Sequence, residues 1–146
     1  MLRSPLMTST GHGPAVVGAL SRALSGRRDV LVAVLFGSEA RGRAGPDSDV
    51  DLAVLAPGVD LVDLAVALSS ALGRDVDVVS LDDAPVPLLA EVVQHGLVAH
   101  EGRPGAAAGW WASALADLET DLPWYRRMSR AWLEVVAAGG LAGGQR

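Results

Sequence analysis

A chain of 146 residues has room for one domain and can bury roughly 70% of its unfolded surface, so it needs no disulfide or metal to hold a core. Half of the residues are hydrophobic and 20% are charged, which excludes an intrinsically disordered chain, and the lack of Cys excludes disulfide frameworks, thiolate zinc sites and thiol nucleophiles. The formal net charge is −5 and all 12 basic residues are Arg, which argues against a surface built to wrap duplex DNA or an anionic membrane but leaves room for a small basic pocket.

Met1 to Pro14 carries a single Arg among Ser, Thr, Gly and Pro, without the apolar centre of a signal peptide. Residues 1–13 therefore read as a flexible segment, with Met7 as an alternative start. From Pro14, Val16, Val17, Leu20 and Leu24 recur at helical spacing up to Gly26. Val30 to Phe36 is a continuous apolar run that reads as a strand buried on both faces and is far too short to span a bilayer as a helix. A soluble, cytoplasmic protein is expected.

Gly37-Ser38 ends that strand, and Ser38 suits the N-cap of one helical turn in the polar loop running through Gly42, Gly45 and Pro46. A second strand is predicted from Asp49 to Leu55, closed by Pro57-Gly58, and a helix from Val59 to Leu72 ending at Gly73. Asp75 to Leu81 reads as a third strand. Asp82 and Asp83 sit where a helix N-terminus favours acids, ahead of a helix from Pro85 to Gly96, and Leu97 to His100 reads as a short edge strand. From Ala106 the pattern is helical, interrupted at Pro123, with 139–146 a frayed tail. This order predicts an α/β fold: a small mixed sheet of three to four strands flanked by helices, with a C-terminal helical region.

Along the second strand alternate residues share a face, so Asp49 and Asp51 point one way while Val50, Leu52 and Val54 point into the core. Two carboxylates about 7 Å apart on one strand repel each other unless a cation lies between them, and Mg²⁺ favours one or two carboxylates plus phosphate oxygens. Asp47, Asp49 and Asp51 also fit a merely solvated acidic turn, but these acids open a strand just after the Gly-Ser that ends a buried one. Asp77, in the third strand, can reach the same place if the two strands are neighbours. Asp75 shares its parity and competes with it; Asp77 is favoured because it lies deeper between valines, as a buried carboxylate able to bind metal or accept a proton. Gly37 lets backbone approach a phosphate, and Ser38 and the following N–H groups can hold anionic oxygens. Arg41 and Arg43 are the nearest cations, able to neutralise a triphosphate or simply to balance the acids in a solvated loop.

Gly37-Ser38, ten intervening residues, then Asp49-Val50-Asp51 resembles the signature of the nucleotidyltransferase superfamily that includes DNA polymerase beta. The wider string, from Phe36-Gly-Ser-Glu-Ala-Arg-Gly through Asp47-Ser-Asp-Val-Asp-Leu52, is similar to the minimal nucleotidyltransferases of MntA type, over roughly Val16 to Glu101. That resemblance implies a nucleotidyltransferase core over residues 14–102, and the helical pattern beyond it marks a separate helical region over 103–138. It implies that Asp49, Asp51 and Asp77 are catalytic and bind Mg²⁺, two ions in all, with Gly37 and Ser38 at the nucleotide phosphates. It further implies ATP as the AMP donor and, as acceptor, a tyrosine of a cognate HEPN-domain toxin that the modification silences. A small-molecule nucleotidyltransferase and a non-catalytic toxin-binding module are the competing readings; a polymerase or tRNA-end enzyme ranks below them, since it would need a basic nucleic-acid-binding domain that these residues do not supply.

The C-terminal region supplies no motif. Trp124, Met128, Trp132 and Val135 form a stripe at helical spacing, with Arg126, Arg127 and Arg130 off it, which reads as an amphipathic helix packed on the core or as a partner-docking face. Trp110 and Trp111 fall in the same region. His12, His95 and His100 make no metal site by spacing and are assigned surface or structural roles.

Overall fold

The computed structural model describes residues 12–43, 45 and 48–137. The N-terminal segment, the alternative start at Met7, Asp47 and the tail from 139 onward lie outside the described residues, as do the side chains of His12, Trp132 and Val135.

Four strands form one mixed sheet in the order β3-β2-β1-β4: β1 (Val32–Phe36), β2 (Val50–Leu55), β3 (Val76–Ser80) and β4 (Leu97–Glu101). β1 runs antiparallel to both β2 and β4, whereas β2 and β3 are parallel. The parallel pair needs a crossover, supplied by helix α3 (Leu61–Leu72), which starts at an Asp60 cap accepting from the N–H groups of Val62 and Asp63 and stops at Gly73 with φ +70°. The remaining helices are α1 (His12–Leu24), a single turn α2 (Gly37–Ala40), α4 (Val86–His95) and α5 (Ala106–Ala137).

β1 is buried on both faces, as its apolar run predicts. Ala33 and Leu35 join Val50, Leu52 and Val54 in a cluster sealed by Leu20 and Leu24 of α1 and by Leu64 and Leu68 of α3. Val32, Val34 and Ala53 face the other way, against Val92 of α4 and Ala107 of α5. The alternation in β2 thus puts Val50, Leu52 and Val54 in the core and Asp51 on the opposite face, at the end of the sheet where β1 leaves it.

Four expectations are corrected. α2 begins directly on β1 with Phe36 at its cap and no side-chain cap bond, so Ser38 lies inside the turn rather than capping it. Asp82 and Asp83 do not enter the first turn of α4, whose cap is Pro85. α5 is not interrupted at Pro123: both Pro123 and Glu119, whose carbonyl the missing N–H would have served, are exposed, so water can satisfy that oxygen. The stripe on α5 is not packed on the core either, since Trp124 and Met128 are 56% and 51% exposed. Only the first half of α5 docks, through Ala107, Ala114 and Leu118, with Trp110 and Trp111 half-buried beside it and their rings edge to face at 5.3 Å.

Candidate active site

β1 carries the chain out of the core at Phe36, and Gly37 turns it with φ +77°, a left-handed conformation that a side chain resists. A Cβ built on Gly37 would lie 2.5 Å from Oδ2 of Asp51. Both the turn and the close approach therefore require glycine, which leaves Gly37 against the Asp51 carboxylate. The turn is held by its own carbonyls, with Gly37 O accepting from Arg41 N at 3.1 Å and Ser38 O accepting from Arg43 N at 2.8 Å.

The β2–β3 register pairs Asp51 with Asp77, so both carboxylates stand side by side on one face of the sheet. Asp49 precedes Asp51 by two residues at the same end. Burial pushes the Asp51 carboxyl above its ordinary range, and the negative charges of Asp77 and then Asp49 push it further. Asp75 lies before β3 begins, and its carbonyl is occupied by Val50 N at 2.9 Å. Asp77 itself is exposed on an edge strand, not buried between valines as expected: Val76 and Val78 turn to the core side of β3, leaving the other face open. Among the described residues no group of three or more His, Asp or Glu side chains stands arranged to hold a metal ion.

The two arginines differ. Arg41 leans onto α4, where its Nη1 donates to both carboxylate oxygens of Glu91 at 3.0 Å each. Arg43 is exposed at the end of the turn. His95 is exposed at the end of α4, and His100 is engaged elsewhere, its Nε2 lying 2.8 Å from the carbonyl of Arg27.

Sequence reasoning passed over Glu39 and Arg74. Glu39, in α2, is 1% exposed and ion-paired through Oε2 with Nη2 of Arg74, just before β3; the same Nη2 donates to the carbonyl of Ser48 at 2.6 Å. The one signal was an acid in the middle of the turn after a buried strand, where solvation is poorest; its partner stands 35 positions away.

Residues 19–101 match the family described as polymerase beta, nucleotidyltransferase. Protein adenylyltransferase MntA of Shewanella oneidensis is 44% identical over 68 residues, 42% of this chain and 48% of that protein, so the chain spans about half the length of that curated relative. A crystal structure of a toxin–antitoxin with AMP-PNP superimposes with a TM-score of 0.63 at 27% identity, covering 81% of this chain and 98% of that one. A crystal structure of the MntA–HepT toxin–antitoxin gives 0.60 at 25% identity, over 83% and 98%. A tri-AMPylated S. oneidensis HEPN toxin in complex with its MNT antitoxin gives 0.60 at 24%, over 84% and 98%, and speaks for the fold alone. With the family match spanning more than half its length, and a four-stranded mixed sheet that puts the acids beside the glycine turn, the chain belongs to the polymerase beta nucleotidyltransferase family.

Proposed function

We propose that this protein transfers AMP from ATP to an acceptor hydroxyl, a tyrosine of a cognate HEPN-domain toxin, and thereby acts as that toxin's antitoxin. The observation that carries the reading is the carboxylate of Asp51, paired in register with Asp77 and covered by a glycine turn too close for any side chain. The relatives support it: one is named a protein adenylyltransferase, and the structural neighbours are toxin–antitoxin complexes, one with AMP-PNP. In this reading residues 14–102 form the transferring core, 103–138 an appended helical region, and the setting is cytoplasmic; among the described residues no helix is long and apolar enough to cross a membrane.

Asp49, Asp51 and Asp77 offer only hard oxygen donors, and Asp51, whose charge is disfavoured by burial and two like neighbours, is a carboxyl that a cation relieves. They are the residues that would hold Mg²⁺, two ions in this reading, and the metal when bound would neutralise the acids together with the triphosphate. Gly37 and Ser38 take the phosphates. Arg43 flanks them, and Arg41 joins it by exchanging Glu91 for phosphate oxygens. The acceptor oxygen attacks the α-phosphorus in line; a new P–O bond forms as the bond to the bridging oxygen breaks, pyrophosphate leaves with that electron pair, and Asp77 takes the acceptor's proton. Alignment and charge neutralisation carry such a reaction.

The test uses purified protein, Mg²⁺, ATP labelled on the α-phosphate and the product of the adjacent gene. Label on that partner is expected with the wild type, and about 10³-fold less with Asp49→Asn/Asp51→Asn, the loss of several kcal/mol of charge stabilisation. A partner inhibited but unlabelled by both proteins would overturn the reading in favour of inhibition by contact.

A further inference from the structure

We propose that Arg74 is a positioning residue that sets the glycine turn and the Asp49–Asp51 strand in register with each other, acting through its ion pair with buried Glu39. This rests on the transferase reading above and deepens it.

The three segments that build the site are far apart in sequence: the turn at 37–40, the entry to β2 at 48–51, and the entry to β3 at 74–77. One guanidinium joins them. Nη2 of Arg74 engages Oε2 of Glu39 inside the turn and the carbonyl of Ser48, the residue before Asp49, at 2.6 Å, while Arg74 stands three residues before Asp77. A backbone bond from Val50 N to Asp75 O, at 2.9 Å, runs beside it. Glu39 is buried, and its backbone carbonyl lies against the start of α1, where a Cβ on Gly13 would be 3.0 Å away.

Stability does not explain such a pair. Taking Glu39 wholly and Arg74 largely out of water, its side chain keeping 21% exposure, is costly, and well-packed apolar replacements of a buried ion pair are often neutral or stabilising. Here the compensation is incomplete, since Glu39 Oε1 and Arg74 Nε are buried without a further hydrogen-bond partner among the described residues. What the pair provides and an apolar pair cannot is a fixed direction: one nitrogen at the tip of a long, planar guanidinium that donates to an acid on one segment and to a carbonyl on another. The Gly37 turn leaves no room for a Cβ beside the Asp51 carboxylate, so a slip between these segments changes the phosphate-to-acid geometry directly. Misplacement by about 1 Å can cost about 10²-fold in rate.

The experiment compares wild type, Glu39→Leu/Arg74→Met and Arg74→Lys in the full chain, reading Tm, the KM for ATP and the kcat of AMP transfer to the partner protein. The apolar double variant is expected to keep its Tm and to keep KM within about threefold while kcat falls about 10- to 100-fold. Arg74→Lys keeps the charge but ends in a shorter, non-planar ammonium that does not reach Glu39 and the Ser48 carbonyl from the same place, and is expected to fold and to recover only part of kcat. A folded double variant with wild-type kcat would overturn the proposal. If the double variant fails to fold, Arg74→Lys decides: lowered kcat at wild-type Tm supports positioning, and wild-type kcat, or failure of both variants to fold, overturns it in favour of a purely structural pair. No transfer by the wild type would instead overturn the underlying reading.

Discussion

At the acid-bearing end of the sheet every backbone segment is tied to another, whereas beyond Leu118 none of the described side chains of α5 is buried. The first region keeps carboxylates together against their own repulsion by means of strand register, a glycine turn and a buried ion pair. The second is held by its own helical hydrogen bonds, runs straight through a proline, and leaves Trp124, Met128 and Leu133 more than half exposed. The contrast teaches that geometry is enforced where charge is concentrated, and that elsewhere backbone hydrogen bonding suffices to keep the shape.

The contrast is broken most severely at Gly37. Gly37→Ala puts a methyl group 2.5 Å from Oδ2 of Asp51 at a left-handed backbone position that costs about 1–2 kcal/mol by itself, so AMP transfer should fall about 10²-fold and Tm by several degrees. Steady-state kinetics and thermal melts check it; unimpaired transfer would mean the turn does not approach the acids. On the helix, Leu118→Ala, at the last docked position, should cost about 2–5 kcal/mol in chemical denaturation, whereas Trp124→Ala should stay within about 0.5 kcal/mol of wild type. Equal losses would show that the outer half of α5 is packed after all.

A smaller effect has the opposite sign. The folded chain holds the proton of Asp51 more tightly than the unfolded chain, so between the two pKa values the native state binds more protons, and stability falls as pH rises through that window. Asp51→Asn removes this loss. Its Tm should exceed that of the wild type near neutral pH, and the gain should vanish at acid pH, where the carboxyl is protonated in both states. A variant that is inactive yet more stable would mark Asp51 as a residue kept for chemistry at the expense of the fold.

Much of this arrangement is written in local pattern. The apolar run of β1, the alternation of Asp49 and Asp51 with Val50, Leu52 and Val54, and the Asp60 and Gly73 borders of α3 all depend on neighbours within a few residues, and the strands and helices lie within two residues of where the pattern puts them. The approach of Asp77 to Asp51 was legible only as a condition, that β2 and β3 be neighbours, which the parallel register satisfies. What local pattern could not carry is pairing at a distance: Arg74 with Glu39 across 35 positions and Arg41 with Glu91 across 50. The exposed stripe of α5 escaped for a related reason, because spacing reveals an apolar face without saying what it meets.

The central claim, that Asp51 and its register partner Asp77 act as one site, is tested most directly by comparing AMP transfer by Asp77→Asn and Asp75→Asn under the same conditions. Asp77→Asn should abolish labelling of the partner while Asp75→Asn retains it within a few-fold; the reverse pattern, or full activity in both, would contradict the account.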